Sequence, residues 1–136
     1  MSNKSLIGID LGTTNSAVGC MVNGVPHLIP NALQEVLSPS VVGVDLDGQI
    51  VTGRAAVELQ VMHPDRCAGA FKRQMGSDWT VRLGSHEFTP EKLSSMVLRS
   101  LKADAETFLG QPVESAVVTV PAYFNDHQRS TNASFG

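Results

Sequence analysis

At 136 residues and 14.5 kDa, with 42% hydrophobic residues and a mean hydropathy of +0.01, the chain has the makings of one soluble domain that buries roughly two-thirds of its unfolded surface. A net charge of −3 and a pI of about 5.7, with lysines and arginines scattered, exclude the basic stripe that holds a nucleic-acid backbone. The opening "MSNKSLIGID" is broken by Asp10, too short for a signal peptide and far short of the ~20 apolar residues that span a bilayer, so a cytoplasmic protein without membrane contact is expected.

Leu6 to Asp10 reads as a buried strand and Ser16 to Val22 as a second, joined by the turn Gly12-Thr13-Thr14. Asn23-Gly24 is the strongest short hairpin signal and leads into a third strand over Val25 to Ile29. Pro30 and Pro39 bound a polar connector, after which "SVVGV" and "QIVTG" flank "DLDG" as another hairpin over Ser40 to Thr52. Ala55 to Met62 has the composition of a short helix stopped by Pro64, and Phe71 to Met75 is a short apolar-basic segment ended by Gly76 and Ser77. Residues 79–83 and 86–88 read as two strands around "GS", with Trp79 packing on a sheet and holding no ligand.

"TPEKLSSMVLRSLKADAETFLG" is the clearest helix, capped by Thr89, started by Pro90 and ended by Gly110. Leu93, Met96, Val97, Leu101, Ala105 and Phe108 recur at three- and four-residue steps and give it one apolar face for the core. "ESAVVTVPAYFND" supplies a last buried strand stopped by Pro121, and Asn125 or Asp126 caps a final helix that runs to Gly136. Strands at both ends with a mixed middle indicate an α/β unit around a central sheet, and the final helix, with no strand to return to, marks the chain as incomplete.

Cys20, Cys67 and the histidines at 27, 63, 86 and 127 show no Cys-x-x-Cys or His-x-x-x-His spacing, so no metal cluster is expected of them. Cys20 reads as a small buried thiol in a strand, and a cytoplasmic setting argues against a disulfide with Cys67. The opening turn is more suggestive. Gly12 and two threonines offer several amides and two hydroxyls in a small space, which suits a phosphate, and Asp10 at the strand end could hold a hydrated Mg²⁺. The same residues serve equally well as a plain hairpin turn in which Asp and Thr satisfy their own backbone.

"GIDLGTTNS" resembles the first phosphate loop of the 70-kDa heat-shock (DnaK-like) chaperone family, within the actin-like and sugar-kinase ATPase superfamily. The resemblance continues in order through "LIPN" at 28–31, "SPSVV" at 38–42, "FKRQMG" at 71–76 and "VVTVPAYFNDHQR" at 117–129. "MHPDR" and "LSSMVLRSLKADAE" are most similar to the bacterial HscC-type branch. The implied fold is α/β, the first lobe of an actin-like (ribonuclease H-like) ATPase, a mixed sheet with helices and incomplete. Residues 1–39 plus 115–136 would belong to a larger subdomain and 40–114 to a smaller one inserted into it.

The resemblance also implies roles. Asp10 would organise Mg²⁺ through water, and Thr13 and Thr14 would hold the β- and γ-phosphates of ATP or ADP. Gly12 and Asn15 would complete the loop, and Lys72 would place the catalytic positive charge near the γ-phosphate. Pro121 and Arg129 resemble the switch pair that reports nucleotide state to a peptide-binding half. The parent would couple ATP hydrolysis to binding and release of unfolded peptides, with a J-domain co-chaperone and a nucleotide exchange factor as partners. The second phosphate loop and the adenosine segment are absent, and "RSTNASFG" departs from the family's continuation after "QR". These residues alone are therefore expected to bind ATP weakly or not at all, not to hydrolyse it, and to self-associate through exposed sheet edges and apolar faces. The alternative in the same superfamily, a sugar or acetate kinase lobe, shares Asp10 and the Gly-Thr-Thr turn but not the later segments.

Overall fold

Alternation along the first two strands sets the main layer. In β1 (Leu6–Leu11) Ile7, Ile9 and Leu11 point into the core, and in β2 (Asn15–Val22) Ser16, Val18 and Cys20 do the same, while Gly8, Asp10, Gly19 and Met21 lie on the other face. The computed structural model describes residues 6–119 and 133–134. Asn23 and Gly24 both take positive φ, 52° and 80°, the pairing that a tight hairpin turn needs, and β3 (Val25–Leu28) returns along β2 as an exposed strand.

Asn31 organises the following connector. Its carboxamide oxygen accepts the N–H groups of Leu33 and Glu35 at 2.9 and 3.1 Å, and its Nδ2 donates to Ser38 Oγ at 3.0 Å. The two-residue β4 (Ser38–Pro39) then pairs antiparallel with the start of β2. A second sheet follows, with β5 (Val41–Val44) between β6 (Ile50–Thr52) and β7 (Cys67–Gly69), and helix α1 (Arg54–Met62) packs on it. β8 (Val81–Leu83) and β9 (His86–Phe88) form a two-stranded ribbon.

Helix α2 (Pro90–Leu109) ties the sheets together. Thr89 Oγ1 accepts the Lys92 N–H at 3.1 Å, Pro90 occupies the first turn, and Gly110 closes the helix at φ 70°. Leu93, Val97, Leu101 and Ala105 are buried, and α2 packs against β1, β2 and β5. β10 (Ser115–Thr119) then runs parallel to β1, and with β11 (Ala133–Ser134) the main sheet has the order β11-β10-β1-β2-β3.

Two expectations need correction. Phe108 does not join the core: it is 47% exposed and lines a hollow with Pro30 and Gln34, while Ser94 takes a buried place on α2. The tail is not helical where it is described, because Ala133–Ser134 forms β11, antiparallel to Ser115 and Ala116. The outer edge of β10 offers a row of backbone groups to such a strand, and Thr, Asn and Ser in "STNAS" favour helix poorly. The helix expected from Asn125 or Asp126 and the strand stop at Pro121 lie outside the described residues.

A β-carbon at Gly43, in the centre of the three-stranded sheet, would stand 2.8 Å from Cys67 Sγ and 3.1 Å from Leu59 Cδ2, whereas one at Gly8 meets nothing within 4 Å. Gly43→Ala is expected to destabilise the fold by about 1–3 kcal/mol through overpacking, and Gly8→Ala by less. Urea unfolding of both variants checks this; equal effects would contradict the packing assigned to Gly43.

Candidate functional site

Asp10 is the last outward-facing residue of β1, and its Cα is paired on one side with Ala17 and on the other with Thr119. Strands on both sides fix the backbone from which its exposed carboxylate extends. The chain then makes the turn through Gly12, Thr13 and Thr14. A β-carbon on Gly12 would collide with the Asn15 carbonyl oxygen, so closure of the turn itself requires glycine. Thr13 is half-buried and Thr14 and Asn15 are exposed, so the turn lies at the surface beside Asp10.

The buried side of the turn is held by two serines. Ser40 Oγ donates to the Gly12 carbonyl at 2.8 Å and lies 2.7 Å from Ser16 Oγ, and the Ser40 N–H donates to the Thr14 carbonyl at 2.8 Å. Ser16 and Ser40 are each 1% exposed. Sequence reasoning quoted "SPSVV" but gave Ser40 no role. The available signal was a hydroxyl residue directly before the apolar run Val41–Val44.

Lys72 comes from a short 3₁₀ helix, Phe71–Gln74, entered through Ala70 in the left-handed region at φ 55°, ψ 21°. Such a conformation costs a non-glycine residue about 1 kcal/mol and marks a backbone over-determined by its surroundings. Phe71, 1% exposed, anchors the segment in the core, and Glu91 at the start of α2 accepts the Gly76 N–H at 3.2 Å. Lys72 is completely buried. Loss of hydration pushes its ammonium down from 10.5 to about 8, and the negative charge of Asp10 works in the opposite direction. Thus the structure brings Lys72 within electrostatic reach of Asp10, two residues before the turn, although Lys72 lies far along the chain.

Pro121 and Arg129 lie outside the described residues. Cys20 and Cys67 are buried free thiols, with Cys67 Sγ donating to the Ala56 carbonyl at 3.3 Å. Burial raises the Cys67 thiol above its ordinary value, and the neighbouring Asp65 adds to the effect. Among the described residues no helix is long and apolar enough to cross a membrane.

The sequence matches the family model described as Hsp70 protein over residues 6–83 and 80–135. It is similar to the chaperone protein DnaK of two strains of Halobacterium salinarum, 45% identical to each over 137 aligned positions. Those alignments cover 100% of this chain and 22% of each relative, so the chain spans about a fifth of the length of the curated relatives it matches.

Burial of Lys72 makes stability depend on pH. Below about 8 the lysine is protonated in folded and unfolded chains alike; between about 8 and 10.5 only the unfolded chain keeps the proton, so stability due to this group rises with pH across that window. The slope is at most about 1.4 kcal/mol per pH unit. Lys72→Met is expected to be more stable than the parent at pH 7 and to lose this rise. Urea titrations of both proteins from pH 7 to 10.5 decide it, and parallel curves would remove Lys72 as the source.

Proposed function

The chain belongs to the Hsp70 family, and from that premise we propose that Asp10, the Gly12–Asn15 turn and Lys72 form the phosphate-holding wall of an ATPase site. The observation that carries this reading is the electrostatic influence of Asp10 on the buried Lys72 ammonium, with Asp10 feeding a glycine-closed turn at the surface. Phosphoryl transfer asks a protein for positioning and charge neutralisation more than for covalent chemistry. Lys72 is suited to place a compact positive charge and a donor near the terminal phosphate and an attacking water. Its burial keeps competing water away, and the turn amides and the hydroxyls of Thr13 and Thr14 hold the phosphate oxygens.

A magnesium ion fits this donor set. An exposed carboxylate beside a phosphate turn suits an ion that keeps most of its own waters. Mg²⁺ bound there supplies charge neutralisation on the phosphates. Asp10 is the residue that would orient its water shell.

We assign residues 1–39 plus 115–136 to a larger subdomain and 40–114 to a smaller, inserted one. The main sheet draws β1 to β3 and β10 from the two ends of the described chain, while the smaller sheets come from the middle, which supports the division. In the whole protein, nucleotide turnover would be coupled to capture and release of unfolded peptides in the cytoplasm, with a J-domain protein and an exchange factor as partners. Pro121 and Arg129 would carry the signal between the halves. Within the family we place the sequence nearest the HscC-type branch, on "MHPDR" and "LSSMVLRSLKADAE". These 136 residues span about a fifth of the length of the curated relatives, so turnover is proposed for the full-length gene product.

Loss of one preorganised donor at such a centre lowers the rate by ~100- to 1,000-fold. Lys72→Ala in the full-length gene product is expected to abolish ATP turnover to about this degree while keeping much of the ATP affinity. Single-turnover assays with radiolabelled ATP measure both quantities, and undiminished turnover would take Lys72 out of the chemistry.

A further inference from the structure

We propose that Ser40 is a positioning residue that sets the phosphate turn, with Ser16 as its support; the proposal rests on the phosphate reading above. Ser40 grips the turn at two carbonyls, through its hydroxyl to Gly12 and through its own N–H to Thr14, both at 2.8 Å. A peptide unit is planar and trans, so its N–H points opposite to its C=O. Holding the Gly12 carbonyl inward therefore turns the Thr13 N–H outward, and holding the Thr14 carbonyl inward does the same to the Asn15 N–H. Two amides are thus aimed at the solvent side of the turn, where successive N–H groups make an anion-binding concavity.

The proton arrangement follows from the donor count. Ser40 has one hydroxyl proton and gives it to Gly12, so Ser16 must donate across the 2.7 Å contact to Ser40. The result is a directed chain, Ser16 to Ser40 to Gly12, in which each bond polarises the next. Its burial is the second sign of a purpose beyond solubility: among the described residues the buried polar side chains are Ser16, Ser40, Lys72 and Ser94, and two of these four lie under this turn. Ser40 also sits between β4, which pairs with the start of β2, and β5 of the smaller sheet. The turn's amides are consequently referenced to the smaller sheet as well as to their own hairpin.

The test is binding of MgADP and of adenosine to the full-length gene product and its Ser40→Ala variant, by titration calorimetry. Adenosine lacks the groups the turn would hold. Ser40→Ala is expected to weaken MgADP by roughly tenfold to a hundredfold, because the Gly12 carbonyl loses its donor, and to leave adenosine affinity unchanged. Unchanged MgADP affinity, or equal losses for both ligands, would overturn the proposal. Should Ser40→Ala not fold, Ser16→Ala decides: a few-fold loss confined to MgADP supports the chain, and none overturns it. A parent protein that binds MgADP no better than adenosine would refute the phosphate site itself, a result distinct from a variant that matches a tight-binding parent.

Discussion

A lysine ammonium removed from water is costly unless a negative charge stands near it, and the arrangement around Lys72 answers to that constraint. Its side chain has no exposed surface, yet Asp10 keeps its charge favourable enough that it titrates near 8, so it remains mostly protonated at neutral pH. Both partners extend from backbone that is held by other parts of the fold. Asp10 sits between two paired strands, and Lys72 hangs from a 3₁₀ turn anchored by Phe71 and entered through a left-handed alanine.

The surrounding fold can be read as the scaffold that keeps this geometry. α2 packs across β1 and β2, which carry the turn, and also against the Phe71–Gln74 segment that carries Lys72. Asn31 closes the connector and reaches Ser38, so that β4 lies against β2 and delivers Ser40 to the underside of the turn. "LIPN" and "SPSVV" thereby acquire a physical reason: one residue from each makes the hydrogen bond that sets the approach of the serine.

Local chemistry made part of this visible in the sequence. Asn23-Gly24 dictated its turn, and Thr89, Pro90 and Gly110 bounded α2 because caps act through neighbours in sequence. β4 and β7, two and three residues long, carry no periodicity; they are strands only because β2 and β5 lie beside them. Phe108 fits the helical period but not the core, since the last turn of α2 passes over the Pro30–Gln34 connector. Asp10 was readable from its own pattern as a strand-end carboxylate and Lys72 only through resemblance, but the full burial of Lys72 and the serine chain under the turn depend on contacts between residues distant in sequence, which no local pattern encodes.

The central claim is that a buried, charge-coupled lysine waits beside a phosphate turn, and nuclear magnetic resonance of the Lys72 side chain in the full-length gene product tests it most directly. The account predicts an ammonium that titrates near 8 in the free protein and shifts upward when a nucleotide phosphate binds. A Lys72 that titrates at its ordinary 10.5 and ignores the nucleotide would contradict it.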